Sequence, residues 1–191
     1  MLSGPRPFLL INEVETSSVY PLKIRARKRE RPVTALLIRP ATADDSTPIA
    51  ALVREAWLAA NQNILPGDTV TRLQRSSKHL AGFVAGEWTS IRVAEYENQI
   101  VGAVGVNPAG VIWMLYVLPS YQGCGVGSAL YDAAIGTMRE AGSRKALLEV
   151  LAANENAVTF YRSRGWVAEG RRTEHIPGFR FTTVRMGLAL A

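Results

Sequence analysis

Three glycines alternate in the stretch Tyr116-Val-Leu-Pro-Ser-Tyr-Gln-Gly-Cys-Gly-Val-Gly-Ser128, at positions 123, 125 and 127. Residues 111–118 before it are almost wholly apolar and stop at Pro119, the pattern of a strand buried on both faces. After it, Val126, Leu130, Ala134 and Met138 fall on one helical stripe, and Gly142 follows the end of that stripe. A strand, a glycine turn and a helix start in immediate succession confine the chain to folds that pack helices on a sheet. Glycine lets a backbone approach a ligand and adopt positive φ, and a helix start presents unpaired N–H groups and a partial positive charge. Such a turn is a phosphate cradle, or simply a strand-to-helix connection. The P-loop pattern does not match, because no lysine stands beside Ser128. Neither does the dinucleotide fingerprint, whose glycines are spaced G-x-G-x-x-G in the first βαβ unit.

The flanking sequence completes an alternating pattern. Residues 35–39 read as a strand closed by Pro40. Asp44, Asp45 and Ser46 supply capping groups before Ile49, Leu52, Val53, Ala56 and Trp57, which have helical spacing. A second helix is expected over 68–77. Residues 91–95 and 100–106 are β-rich runs around a hairpin turn at 96–99. Further on come a strand at 145–150, a helix at 154–164, and strands at 166–174 and 181–190 around the turn 175–178. No internal repeats interrupt this order.

Of 22 basic and 16 acidic residues, seven basic and three acidic lie in residues 1–35, so most of the formal charge of +6 belongs to that segment. Residues 36–191 are nearly balanced, which removes the charge argument for a nucleic-acid-binding body. Residues 1–35 read as a basic, flexible extension and 36–191 as the folded domain. A solitary cysteine and two histidines, His79 and His175, exclude an internal disulfide and make no zinc site. No metal is expected. No apolar run reaches the roughly 18 residues of a membrane span, and no secretory leader fits the N-terminal residues, so the expected setting is cytoplasmic, with no membrane partner.

Gln122-Gly-Cys-Gly-Val-Gly127 resembles the Gln/Arg-x-x-Gly-x-Gly/Ala signature of the GNAT superfamily of acetyl-CoA-dependent N-acyltransferases. Leu148-Glu-Val-Leu-Ala-Ala-Asn154, then Asn156-Ala157 and Phe160-Tyr161…Gly165-Trp166, is similar to that family's second block. The resemblance covers about 36–191. It implies an α/β (α+β) fold: a mixed, mostly antiparallel sheet of six to seven strands, flanked by about four helices and splayed between strands 4 and 5. It implies acetyl-CoA as co-substrate, with its pyrophosphate on Gln122, Gly123, Cys124, Gly125, Val126, Gly127 and Ser128. It further implies a pantetheine arm paired with Leu115, Tyr116 and Val117 and contacted by Asn154 and Tyr161. Cys124 departs from relatives that often carry Arg or Lys there. That removes a charge-assisted contact but leaves the backbone cradle.

Acetyl transfer from a thioester to an amine needs a deprotonated amine, fixed donors for the developing oxyanion, and a proton for the departing thiolate. By resemblance the donor is the Val117 N–H, and Tyr161 is the general acid for the CoA sulfur. Glu149, in the apolar strand 146–151, is the candidate base, raised in pKa if buried, or else a solvated carboxylate. Asn154 contacts the CoA arm or caps the helix. The loop containing His175, and Trp57, Trp88 and Trp113, could face the acceptor, as could Glu55, Asp68, Glu87 and Glu174. The acceptor is a small-molecule or peptide amine whose identity these residues do not decide. The resemblance also admits a homodimer. The rival reading is a non-catalytic acyl-CoA-binding sensor of the same fold.

Overall fold

The computed structural model describes residues 18–20, 35–64, 67, 86–107, 109–176 and 179–190. Eight strands form a single sheet in the order β1-β2-β3-β4-β5-β6-β8-β7. They are β1 (Ser18–Tyr20), β2 (Leu36–Pro40), β3 (Ile91–Tyr96), β4 (Gln99–Asn107), β5 (Val111–Val117), β6 (Lys145–Leu151), β7 (Val167–Ile176) and β8 (Phe179–Ala189). Three α-helices accompany them among the described residues: α1 (Ser46–Asn61), α2 (Val126–Glu140) and α3 (Glu155–Arg162). The expected mixed, mostly antiparallel sheet is present. The helix expected over 68–77 lies outside the described residues. Strand β1 comes from the N-terminal extension and pairs antiparallel with β2, so the sheet exceeds seven strands.

The β3–β4 hairpin turns on Glu97 and Asn98, both at positive φ (49° and 62°), the twist that suits a two-residue connection. His175 is not in a loop, because β7 and β8 run further than expected and pair His175 with Arg180. Alternation divides the core between the sheet's faces. Val101, Val104, Ile112, Val117, Ala146 and Leu148 pack beneath α2 and α3. Val93, Ala103, Met114 and Leu118 pack beneath Ile49, Leu52 and Val53 of α1. Burying each such side chain contributes roughly 1.5–3 kcal/mol, which is what fixes both helical layers on the sheet.

Strand β5 carries the irregularity that shapes the site. Gly105 of β4 pairs with Met114, but Val106 pairs with Ile112, so Trp113 is an extra residue on β5. A bulge sharpens the local twist and re-aims side chains. The indole lies against Gly105, where any Cβ would run into the ring. Beyond the bulge β5 leaves its other neighbour. The parallel pairing with β6 holds only at Val111 with Leu147 and Ile112 with Leu148. The sheet therefore parts between the fourth and fifth strands of the domain, as expected.

Candidate active site

The register fixes what lines the gap. Leu118 donates its N–H to Val101 O at 3.0 Å, and Gly102 pairs with Val117. Because antiparallel bonds alternate, the N–H and C=O groups of Leu115 and Val117 turn away from β4 and toward the gap. Tyr116 turns its backbone to β4 instead, and its side chain packs against the core on the α1 side of the sheet. Gln122 folds back over this edge, its Nε2 donating to Val117 O at 3.1 Å.

The glycine loop closes on helix α2. Gly123 and Gly125 sit at φ 74° and 93°, a region that strains residues with a Cβ, and open space surrounds both. Gly125 is the N-cap of α2 and offers no side chain to its first-turn amides. The N–H groups of Val126, Gly127 and Ser128 thus start the helix uncapped, with the positive end of its dipole behind them. Cys124 Sγ stands 3.7 Å from Gln122 O and meets no base.

A cation that the sequence pattern did not single out sits beside this loop. Arg164 donates from Nη2 to Ser128 Oγ at 2.7 Å and from Nη1 to Phe160 O at 2.9 Å. Its guanidinium stacks 3.6 Å from the centre of the Phe160 ring. Residues 128 and 164 are far apart in sequence, so only the docking of α3 against α2 brings this charge to the cradle.

Tyr161 comes from α3 into the core, 7% exposed, with ring contacts to Phe160 at 5.2 Å and Trp166 at 5.5 Å. Burial pushes its phenol above the usual value; Tyr116 and Tyr131 add to the rise and Arg164 opposes it. Burial also raises Tyr116. Tyr131 is engaged, accepting from Trp166 Nε1 at 3.0 Å. Among the described residues the Tyr161 hydroxyl has no hydrogen-bond partner, while the one fully enclosed orphan oxygen is Asn61 Oδ1. Asn154 caps α3, its Oδ1 accepting from Ala157 N–H at 3.1 Å.

Glu149 alternates with Leu148, which is in the α2/α3 core, so it projects from the opposite face, where it is exposed and not buried. It stands on a cavity of about 350 Å³ at the point where β5 and β6 part, walled by Ile112, Trp113, Leu147 and Leu148. Arg185, which sequence reasoning missed, lines the same cavity and faces Glu149 across the β6–β8 ladder. Trp57 is half-buried, Glu55 exposed and Glu87 half-buried. His79, Asp68 and the side chains of Trp88 and Glu174 lie outside what is described. No group of three metal-ligating residues occurs among the described residues, and no described helix is long and apolar enough to cross a membrane.

Comparison with known proteins identifies the family and matches the fold. The chain matches the Acetyltransferase (GNAT) family model over residues 53–166. It is 30% identical over 113 residues to an uncharacterized N-acetyltransferase of Mycobacterium tuberculosis, covering 50% of this chain and 72% of that one. The fold matches a GCN5-related N-acetyltransferase from Rhodopseudomonas palustris with a TM-score of 0.71 at 24% identity, over 84% of this chain and 100% of that one. It also matches PaiA N-acetyltransferase from Thermoplasma acidophilum, solved with coenzyme A, with a TM-score of 0.60 at 20% identity, over 81% and 98% of the two chains.

Proposed function

Because the chain belongs to the GNAT acetyltransferase family, and is thus an acyltransferase, we propose that it transfers the acetyl group of acetyl-CoA to a primary amine by direct attack in a ternary complex. One observation carries this reading. The uncapped start of α2 follows directly on β5, whose Leu115 and Val117 turn their backbone groups into the gap between β5 and β6. The cradle fits a pyrophosphate: its first-turn amides are free of a side-chain cap, nothing crowds Gly123 or Gly125, and Arg164 adds a cation. Arg164 supplies, from the turn after α3, the charge that Cys124 does not supply from the glycine loop.

The chain's groups then divide the work. The Val117 N–H donates to the acyl oxygen as negative charge develops there. Tyr161, protonated at neutral pH, delivers its proton to the departing thiolate. Glu149 takes the proton of the incoming ammonium, directly or through water, from the mouth of the cavity. Asn154 caps α3 and, in this reading, contacts the CoA arm. None of these roles falls on residues 1–35, and the catalytic domain is assigned to 36–191.

Two measurements test the reading. Acetyl-CoA at 100 times its Kd raises stability by about 2.7 kcal/mol, read as an increase in Tm. A CoA-release assay over amino acids, peptide N-termini, lysine peptides, polyamines and aminoglycosides finds an acetylated class. No stabilisation by millimolar CoA overturns the proposal, and stabilisation without turnover over the whole panel assigns a non-catalytic acyl-CoA sensor instead.

A further inference from the structure

We propose that the amine acceptor is a small zwitterion, an amine carrying its own carboxylate, held with the carboxylate on Arg185 and the amino group toward Glu149. This deepens the acyl-transfer reading and rests on it. The cavity at the parting of β5 and β6 has apolar walls from Ile112, Trp113, Leu147 and Leu148, and its charged groups are Glu149 and Arg185, of opposite sign. They occupy directly opposed positions in the β6–β8 ladder, where Cβ atoms lie about 4.5–5.5 Å apart and opposite charges ordinarily close on one another. These two do not: among the described residues neither makes an ion pair or a side-chain hydrogen bond. Nearby, Lys145 and Glu169 do close, at 2.7 Å. Val184 and Met186 on either side of Arg185 are buried beneath the helices, so Arg185 projects from the Glu149 face.

A guanidinium presents a planar fork that binds a carboxylate through two parallel hydrogen bonds. An isolated carboxylate beside it accepts from an ammonium and can take its proton. Together the two complement a molecule that is itself neutral overall, so filling the cavity adds no net charge against its apolar walls. About 350 Å³ accommodates a molecule of amino-acid size. A polyamine would meet Arg185 with like charge, and a peptide N-terminus has an amide where Arg185 offers donors for an anion.

The test compares free amino acids with their carboxamides and decarboxylated amines, by CoA release at saturating acetyl-CoA. In the natural protein the acid is preferred over its amide by about 10- to 100-fold in kcat/KM, the range of a charge-assisted hydrogen bond. Arg185→Gln collapses that ratio toward one, and Arg185→Lys restores part of it, with folding of each variant read from its thermal melt. Amides or decarboxylated amines as good as acids, or a ratio unmoved by Arg185→Gln, overturn the proposal while acetyl transfer stands. If no amine releases CoA, transfer itself fails. Calorimetric binding of the same pairs to the CoA-loaded protein then decides: tighter binding of the acid supports a zwitterion site and equal binding overturns it.

Discussion

In the proposed reaction Tyr161 is the acid, and its phenol is largely withdrawn from water. Burial disfavours the phenolate, and the neighbouring Tyr116 and Tyr131 push in the same direction. The proton is therefore retained beyond the ordinary tyrosine value of about 10. Replacing Tyr161 by Phe is expected to lower kcat about 100-fold with little change in the KM for acetyl-CoA, measured by CoA release. In the natural protein, kcat shows no alkaline fall attributable to this group below about pH 10, because the raised pKa moves that limb upward. A decline centred near pH 8–9 that is absent in Tyr161→Phe would remove it from this role. Tyr161 was legible in the sequence through Phe160-Tyr161…Gly165-Trp166. Arg164 and Arg185 were not, because each acquires its meaning from a residue on another element: Ser128 for the first and Glu149 for the second.

Among the elements, β5 decides the geometry. A regular strand would continue its parallel ladder with β6, and the extra residue at Trp113 instead twists β5 away after two paired positions. Gly105 makes room for the displaced indole, so Gly105→Ala brings a methyl group into the ring. We expect a loss of about 1–3 kcal/mol, the usual cost of overpacking, measured by urea denaturation. Tryptophan fluorescence should shift, and the KM for the amine should rise more than that for acetyl-CoA, since Trp113 walls the acceptor cavity and not the glycine loop. Gly136→Ala serves as the control, because nothing lies within 4 Å of its would-be Cβ in α2. An equal effect from both substitutions would mean that Trp113 has no particular hold on the strand. Strand and helix periods in the sequence revealed these elements. The apolar pattern does not show the bulge, because one extra residue in a continuous apolar run leaves no mark; only the family resemblance implied a bulged strand here.

For the molecule as a whole, we expect stability to depend on pH through a partly buried ion network at the start of α1. Arg39 of β2 grips Asp45 with Nη1 and Nη2, at 2.7 and 3.0 Å, and donates from Nε to Glu95 of β3 at 2.7 Å. Asp45 also accepts from the Thr42 N–H and hydroxyl, at 2.7 and 3.0 Å. The Arg39 guanidinium above all, helped by Thr42 and opposed by burial, holds the Asp45 carboxyl below its usual range. A lowered folded pKa contributes stability that is present above the unfolded value of about 4 and is lost as pH falls through the folded value. Asp45→Asn should therefore cost about 1–3 kcal/mol at pH 7, with the gap to the natural protein narrowing below pH 4 in denaturant titrations. A gap independent of pH would exclude ionic coupling. The sequence by itself showed the order of the elements described from β2 onward, the glycine turn into a helix and the family, because backbone propensity and a contiguous motif are local properties of the chain. The two helical layers followed from the same apolar periodicities. Tertiary structure alone decided where the sheet parts, that Glu149 stands exposed at a cavity mouth, that Arg185 comes to face Glu149 and that Arg164 reaches Ser128. Those depend on strand register and helix docking, which couple residues far apart in the chain and are settled by packing, not by any local preference.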